Sequence, residues 1–149
     1  MNFFKPLNFK NNKQRQQYTR LVRNVKKTLP IAKEVNRAII ETYEFLQTLP
    51  DEKARQKHLN AVEKSVKEQY TPRMKKLTFA QGKLLIKLIN RETDSSSFEL
   101  VKAFLGPFKA GFYQAFAAIF GASLKKEYHP EGEDAMVEQI VLLVESGQI

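Results

Sequence analysis

Apolar residues recur every three or four positions along much of the chain, which is the spacing of an amphipathic α-helix. The first such stripe lies within 11–29 and the second within 31–46. Their members are Tyr18, Leu21, Val22, Val25 and Leu29, followed by Ile31, Val35, Ile39, Tyr43 and Leu46. Pro30 stands between the stripes, which are offset on a helical wheel by about 80° at roughly 100° per residue. One kinked helix and two short helices explain this offset equally well, because proline either bends or ends a helix.

The middle of the chain carries helix start signals in front of each apolar segment. Leu49-Pro50-Asp51 breaks the chain, and Asp51 is placed to cap a polar, peripheral helix over about 51–70. Thr71-Pro72 restarts the chain. Thr78 and Gln81 have the spacing of a capping box, and the run 84–89 behind them is apolar on nearly all sides. This pattern predicts a central helix.

The last third of the chain contains similar helix start and stop signals. Ser96 and Glu99 form another capping box, and Gly106-Pro107 breaks the helix that follows it. An aromatic stripe at helical spacing then covers 108–120, and a final apolar helix covers about 133–146. No segment favours a strand. The sequence therefore predicts an all-α, single-domain bundle of six or seven helices.

The first ten residues do not share this pattern. The start has early phenylalanines and Pro6 and lacks the apolar run of a signal peptide. We therefore expect residues 1–10 to be the extended tail of a longer chain, and residues 11–149 to form the helical domain. The most apolar window, 110–122, is about 13 residues long, which is too short to cross a bilayer and favours a buried helix.

Charge is distributed unequally along the 149 residues, whose net charge is +9. Residues 1–77 hold 18 Lys and Arg against 7 Asp and Glu, whereas residues 78–149 hold 7 against 9. This asymmetry indicates that the first half faces an acidic partner, while the second half supplies most of the core. A solvated basic surface without a partner is the alternative.

The candidate binding residues are the cations opposite the first apolar stripe, Arg20, Arg23, Lys26 and Lys27. Such a face can bind an acidic protein, a lipid or an envelope polymer, and it can also neutralise phosphates of nucleic acid. Tyr18 and Tyr43 fall on the apolar stripes and are not free to stack on bases. Because no nucleic-acid-binding signature is visible either, sequence-nonspecific nucleic-acid binding is the second hypothesis.

Residues 129–134 are the strongest candidate for chemistry, because His129 stands beside Glu131, Glu133 and Asp134. A metal-dependent enzyme centred there is the third hypothesis. Carboxylates at a helix start, however, also complement the helix dipole, and no second histidine stands at ligand spacing. The chain has no cysteine and no nucleophile-elbow or phosphate-loop motif. The sequence therefore assigns no catalytic residue, metal ligand or cofactor and favours a binding role over catalysis.

The glycines of the last third are better explained by structure than by phosphate binding. The spacing of Gly106, Gly111 and Gly121 does not match a phosphate loop. We interpret Gly106 as a break, Gly111 as a point of close packing and Gly121 as a helix C-cap.

Several stretches together resemble an uncharacterised bacterial family, common in Bacteroidetes, known as domain of unknown function 4294. The resemblance covers nearly the whole chain. It rests on 18–27 (YTRLVRNVKK), 30–33 (PIAK), 75–78 (KKLT), 81–89 (QGKLLIKLI), 108–112 (FKAGF), 120–125 (FGASLK) and 145–148 (ESGQ). The family supplies no activity and no functional residues. It implies an export signal upstream, and hence a basic helical binding or scaffolding module in the periplasm or cell envelope, with the cytoplasm as the alternative.

Overall fold

The computed structural model describes residues 10–94, 106–121 and 128–149. These residues form five α-helices and contain no strand, which confirms the all-helical class. The helices are α1 (Asn12–Leu46), α2 (Glu52–Met74), α3 (Phe79–Asp94), α4 (Gly106–Phe120) and α5 (Ala135–Glu145). The predicted count of six or seven exceeds the five helices that these residues form.

Part of this difference arises at Pro30, which lies inside α1 rather than at its end. The buried residues of α1 form a seam at spacings of four, three, three and four that passes the proline without interruption. The seam consists of Val25, Leu29, Ala32, Val35 and Ile39. A proline in a helix interior costs about 3 kcal/mol, whereas each fully buried aliphatic side chain contributes roughly 1.5–3 kcal/mol. Because Pro30 is exposed, its ring does not disturb the seam, and packing keeps the helix continuous.

Pro72 is likewise contained within α2, which ends at Met74 instead of near Tyr70. Tyr70 and Met74 are both buried, one turn apart, on the side where Val66 is buried. The helix therefore continues past the proline because its last apolar residue belongs to the core. The rest of α2 is mostly exposed, in agreement with its predicted peripheral position.

Most of the predicted helix ends in the described residues are confirmed. Asp51 Oδ1 accepts a hydrogen bond from the backbone N–H of Ala54 at 2.7 Å. The Thr78–Gln81 capping box forms in both directions, at 3.1 and 3.0 Å. Gly121 adopts a φ of 68° and so provides the left-handed residue that follows a helix. The Ser96–Glu99 box and residues 1–9 of the expected tail lie outside the described residues.

The helices pack as two groups that share one core. α1 lies along α3 and α5, and α2 packs against α4. The predicted central helix is confirmed, since α3 is buried through Leu84, Leu85, Ile86, Leu88 and Ile89. α1 contributes its whole seam to the same core, because its basic residues occupy only its outer side. Residues 78–149 supply 12 of the 22 buried hydrophobic residues in the part of the chain that the structure describes, which agrees with the expectation that the second half supplies most of the core.

The aromatic stripe of α4 packs inside the protein where its side chains are described. Phe116 is 1% exposed and Ala115 is fully buried. The rings of Phe116 and Phe120 lie 4.8 Å apart, and Phe79 of α3 packs against both. Within residues 10–94, 106–121 and 128–149, every helix is too short or too polar to span a lipid bilayer.

Candidate binding surface

The four cations singled out by the sequence lie on the outer side of the first half of α1. Arg20, Arg23, Lys26 and Lys27 are all exposed, opposite the buried seam. The distance along the helix axis from Arg20 to Lys27 is about 10 Å, from a rise of 1.5 Å per residue. The structure therefore brings the four charges together on one ridge. Their role in binding stays a prediction.

The same ridge extends towards the amino terminus of α1. Arg20 and Arg23 line a shallow groove with Arg15, Gln16 and Thr19. No acidic residue occurs in α1 before Glu34, so these cations have no carboxylate one helical turn away to neutralise them. The surface consequently presents several guanidinium groups, which can pair bidentately with carboxylate or phosphate.

Lys26 differs from its neighbours because the end of the chain reaches it. Its Nζ donates a hydrogen bond to the backbone oxygen of Ile149 at 2.9 Å. Since both residues are exposed, this contact contributes little to stability. It places the segment after α5 at one border of the basic ridge.

The basic ridge lacks large apolar side chains. The exposed large hydrophobic residues of the described chain are Phe45, Phe79, Met136, Leu142 and Ile149, none of which is in the first half of α1. Tyr18 and Tyr43 are partly buried and pack against the core, as the apolar stripes predict. The ridge thus offers charge without aromatic rings for stacking and without side chains for insertion into a bilayer.

The turn at residues 129–134 is held together by its own hydrogen bonds. Asp134 Oδ2 accepts from the backbone N–H of His129 at 2.9 Å, and Asp134 Oδ1 accepts from Lys87 Nζ at 2.6 Å. Asp134 precedes α5 but makes no side-chain capping bond to it; its side chain forms an ion pair with Lys87 of α3 instead. Burial by itself would lower the pKa of Lys87. Its ion pairs with Asp134 and Glu133 outweigh that effect, so the pKa is raised.

His129 itself is exposed and lies in a shallow surface depression with Glu131 and Glu133. Over residues 10–94, 106–121 and 128–149, no three His, Asp or Glu side chains converge in a way that could hold a metal ion. The ion pairs of Glu133 and Asp134 with Lys87 join this segment, at the start of α5, to α3.

Sequence reasoning missed a charge network between α1, α3 and α5. Arg91 of α3 pairs with Glu138 through two hydrogen bonds of 2.7 and 3.1 Å. It also contacts Glu92 at 2.8 Å and Glu145 at 3.3 Å. Lys33 of α1 bridges the same two carboxylates, at 3.4 Å to Glu92 and 2.6 Å to Glu145. Arg91 and Glu92 are largely buried, with side chains 14% and 9% exposed.

Mutual pairing determines the ionisation of this network. Burial would raise the pKa of the Glu138 carboxyl, but hydrogen bonds from Arg91 and Tyr128 outweigh it and lower that pKa. Burial and the bond to Glu138, at 2.6 Å, raise the pKa of the Tyr128 hydroxyl. The network therefore holds Glu138 as a carboxylate and Tyr128 as a neutral donor.

A smaller missed cluster joins α1 to α2. Glu34 accepts hydrogen bonds from Arg73 and from the Tyr70 hydroxyl, the latter at 3.2 Å. The bond from Arg73 is the largest cause of the lowered pKa of Glu34. Burial, together with the Glu34 charge, raises the pKa of Tyr70 to about 12. No short motif could have revealed either cluster, because their partners are 36 to 112 positions apart in the α1 contacts.

Comparison with known proteins adds one match. A family model described as a domain of unknown function matches residues 1–143 of the chain. No curated protein matches the chain, and no solved structure does.

Proposed function

Since the chain belongs to the DUF4294 family, which is described only as a domain of unknown function, we propose a function from the surface itself. The chain binds an acidic protein or an acidic polymer of the cell envelope through Arg20, Arg23, Lys26 and Lys27. The observation that carries this proposal is the grouping of four exposed cations on one ridge, in a stretch of α1 that has no acidic residue.

The form of the ridge supports an extended acidic partner. Its charges follow the axis of a single helix over about 10 Å. A chain with regularly spaced carboxylates can contact several of these cations in turn, whereas a compact ligand would contact one or two. The lack of large exposed apolar side chains on this part of α1 favours such a partner over a lipid bilayer.

Charge reversal tests the proposal directly. We expect the variant R20E/R23E/K26E/K27E to fold normally and to lose at least about tenfold in affinity for immobilised poly-L-glutamate, because four charge contacts become repulsive. The matched control is K53E/K57E/K64E/K67E, which reverses four exposed lysines of α2. Each variant changes the charge by four times −2, so both have a net charge of +1 instead of +9.

The comparison between the two variants decides the result. A large loss in the α1 variant alone supports the ridge as the binding surface. Equal losses in both variants would show that only net charge matters, and unchanged binding in the α1 variant would rule out these four residues. Circular dichroism of both variants establishes that the helices are retained.

Nucleic acid is separated from an acidic protein or polymer by the same variants. Nonspecific binding to duplex DNA has a Kd of about 10⁻⁴–10⁻⁶ M at physiological salt and weakens steeply as salt rises. If the chain binds random duplex DNA in this range and the α1 variant alone abolishes that binding, the nucleic-acid hypothesis replaces the one proposed here.

The proposed location is the periplasm or cell envelope. We expect the full-length product, carrying a carboxy-terminal tag, to be recovered with the periplasmic or envelope fraction after cell fractionation. Recovery in the cytoplasm alone would contradict this location, and salt-dependent binding of nucleic acid would then become the leading hypothesis.

A further inference from the structure

The amino-terminal end of the basic ridge is a shallow groove whose charged residues are all arginines. Arg15, Arg20 and Arg23 line it together with Gln16 and Thr19, and all five residues are exposed. Thr19 is four positions from both Arg15 and Arg23, so a short side chain lies between two long ones on the same face of the helix. This surface is called the arginine groove below.

The guanidinium groups supply most hydrogen-bond donors of the arginine groove. The Thr19 hydroxyl donates to the backbone oxygen of Arg15 at 3.0 Å, so its proton is already used within the helix. Each guanidinium group carries five N–H donors in a planar fork. No Asp or Glu occurs in residues 1–33, so this part of the chain has no carboxylate to neutralise the three charges. The groove therefore favours a ligand with several acceptor oxygens and more than one negative charge.

The shape of the anion decides which acidic group fits the arginine groove. Arg15 and Arg23 lie about 12 Å apart along the helix axis, and Arg20 stands on the neighbouring row, three positions from Arg23. Their long side chains can thus reach the space above Thr19 from both ends and from one side. A carboxylate has two oxygens in one plane and pairs bidentately with one guanidinium group. A phosphomonoester has three acceptor oxygens and a charge of about −1.5 to −2, so it can accept from several guanidinium groups at once.

We propose that the arginine groove binds a phosphomonoester and that the partner of the basic ridge is a phosphorylated acidic protein segment. This inference rests on the function proposed above and specifies the partner further. The phosphate group lies above Thr19, and carboxylates of the same segment pair with Lys26 and Lys27, about 10–12 Å away along the helix axis. Three or four residues of extended chain span this distance at about 3.3 Å per residue. The segment therefore carries an acidic residue three or four positions from the phosphorylated one.

Two glutamate-rich peptides of equal charge test the preference for phosphate. One contains a single phosphoserine, and the other contains γ-carboxyglutamate at the same position. At pH 8 each of these side chains has a charge of about −2, but γ-carboxyglutamate presents two planar carboxylates. We expect the phosphoserine peptide to bind the whole chain at least about fivefold more tightly in calorimetric titrations, because more guanidinium groups contact it.

The possible results separate this inference from the function on which it rests. Equal affinities for the two peptides would overturn the preference for phosphate and leave the basic ridge as the binding surface. Binding of neither peptide would contradict the ridge, and this inference with it. Tighter binding of phosphorylated dextran than of the phosphoserine peptide would replace the protein segment by a phosphorylated polysaccharide.

A charge-conserving variant separates the geometry of the groove from its charge. R15K/R20K/R23K keeps the net charge of +9 and a high helix propensity, but it replaces three planar forks by point charges. We expect this variant to lose the preference for phosphoserine and to bind the γ-carboxyglutamate peptide within about threefold of the parent chain. The control is Arg37→Lys, an exposed position of α1 outside the groove, which should keep the preference. Persistence of the preference in R15K/R20K/R23K, or its loss in Arg37→Lys, would contradict the assignment to the groove.

Discussion

Replacement of Arg91 by methionine is expected to lower the free energy of unfolding by about 3–5 kcal/mol at pH 7, which is the usual cost of removing one partner from a buried ion pair. Arg91 is the cation that contacts Glu92, Glu138 and Glu145 together. Without it, three carboxylates converge on a largely buried position, and Lys33 can reach only two of them. Methionine keeps the volume of the side chain and so limits the effect to charge and hydrogen bonding.

The pH dependence of this loss identifies its cause. Glu138 has a pKa below its ordinary value of 4.5 in the folded protein. Its pairing therefore stabilises the fold above about pH 4.5, and that stabilisation disappears as the pH falls through the folded-state pKa. In the Arg91→Met variant the carboxylates can instead take up protons near pH 4, so the loss should be smaller at pH 4 than at pH 7.

Urea denaturation at the two pH values measures both effects. The control is Lys57→Met, which removes one positive charge from an exposed position of α2 and should change stability by less than about 0.5 kcal/mol. A loss below about 1 kcal/mol for Arg91→Met would contradict the importance of the network. An equal loss at pH 4 and pH 7 would show that the side chain acts through packing.

Substitution of Gly111 by alanine is expected to destabilise the protein by about 1–3 kcal/mol, as is typical of overpacking. A Cβ atom at this position would lie 2.8 Å from Val66 Cγ1 and 2.9 Å from the backbone oxygen of Glu63. Because a backbone atom of α2 cannot move aside as a side chain can, the two helices would have to separate. The loss is expected even though alanine is favoured over glycine in a helix interior by about 1 kcal/mol.

Two other glycines provide controls for this prediction. At Gly82 a Cβ atom would lie 2.9 Å from Phe120 Cε2 and 3.3 Å from Phe116 Cε2. Both are side-chain atoms, and the nearer belongs to a ring that is only partly buried and can turn away. Gly82→Ala should therefore cost less than Gly111→Ala. At Gly132 a Cβ would meet only His129 atoms at 3.7 Å or more, so Gly132→Ala should be nearly neutral. Thermal unfolding of the three variants would contradict the close approach of α2 and α4 if Gly111→Ala were the least affected.

Local signals in the sequence predicted much of the secondary structure. The bond from Asp51 to Ala54 and the Thr78–Gln81 box each join residues three positions apart, so a short stretch of sequence contains both partners. The burial of 84–89 was predictable for a similar reason, since a helix that is apolar on nearly all sides can be stable only in the interior. Gly111 was recognised as a packing point, although its contact with Val66 could not be named.

The exposed position of Arg20, Arg23, Lys26 and Lys27 was also determined by the sequence alone, because helical periodicity separates these residues from the buried seam of α1. Tertiary structure determined the features that helical periodicity does not predict. It kept α1 and α2 continuous through Pro30 and Pro72, since burial of residues beyond each proline outweighs the local cost. It also brought Arg91 to Glu138 and Glu145. These contacts depend on how helices from distant parts of the chain pack against one another. That packing is determined by all the buried surfaces together, so no single segment of the sequence predicts it.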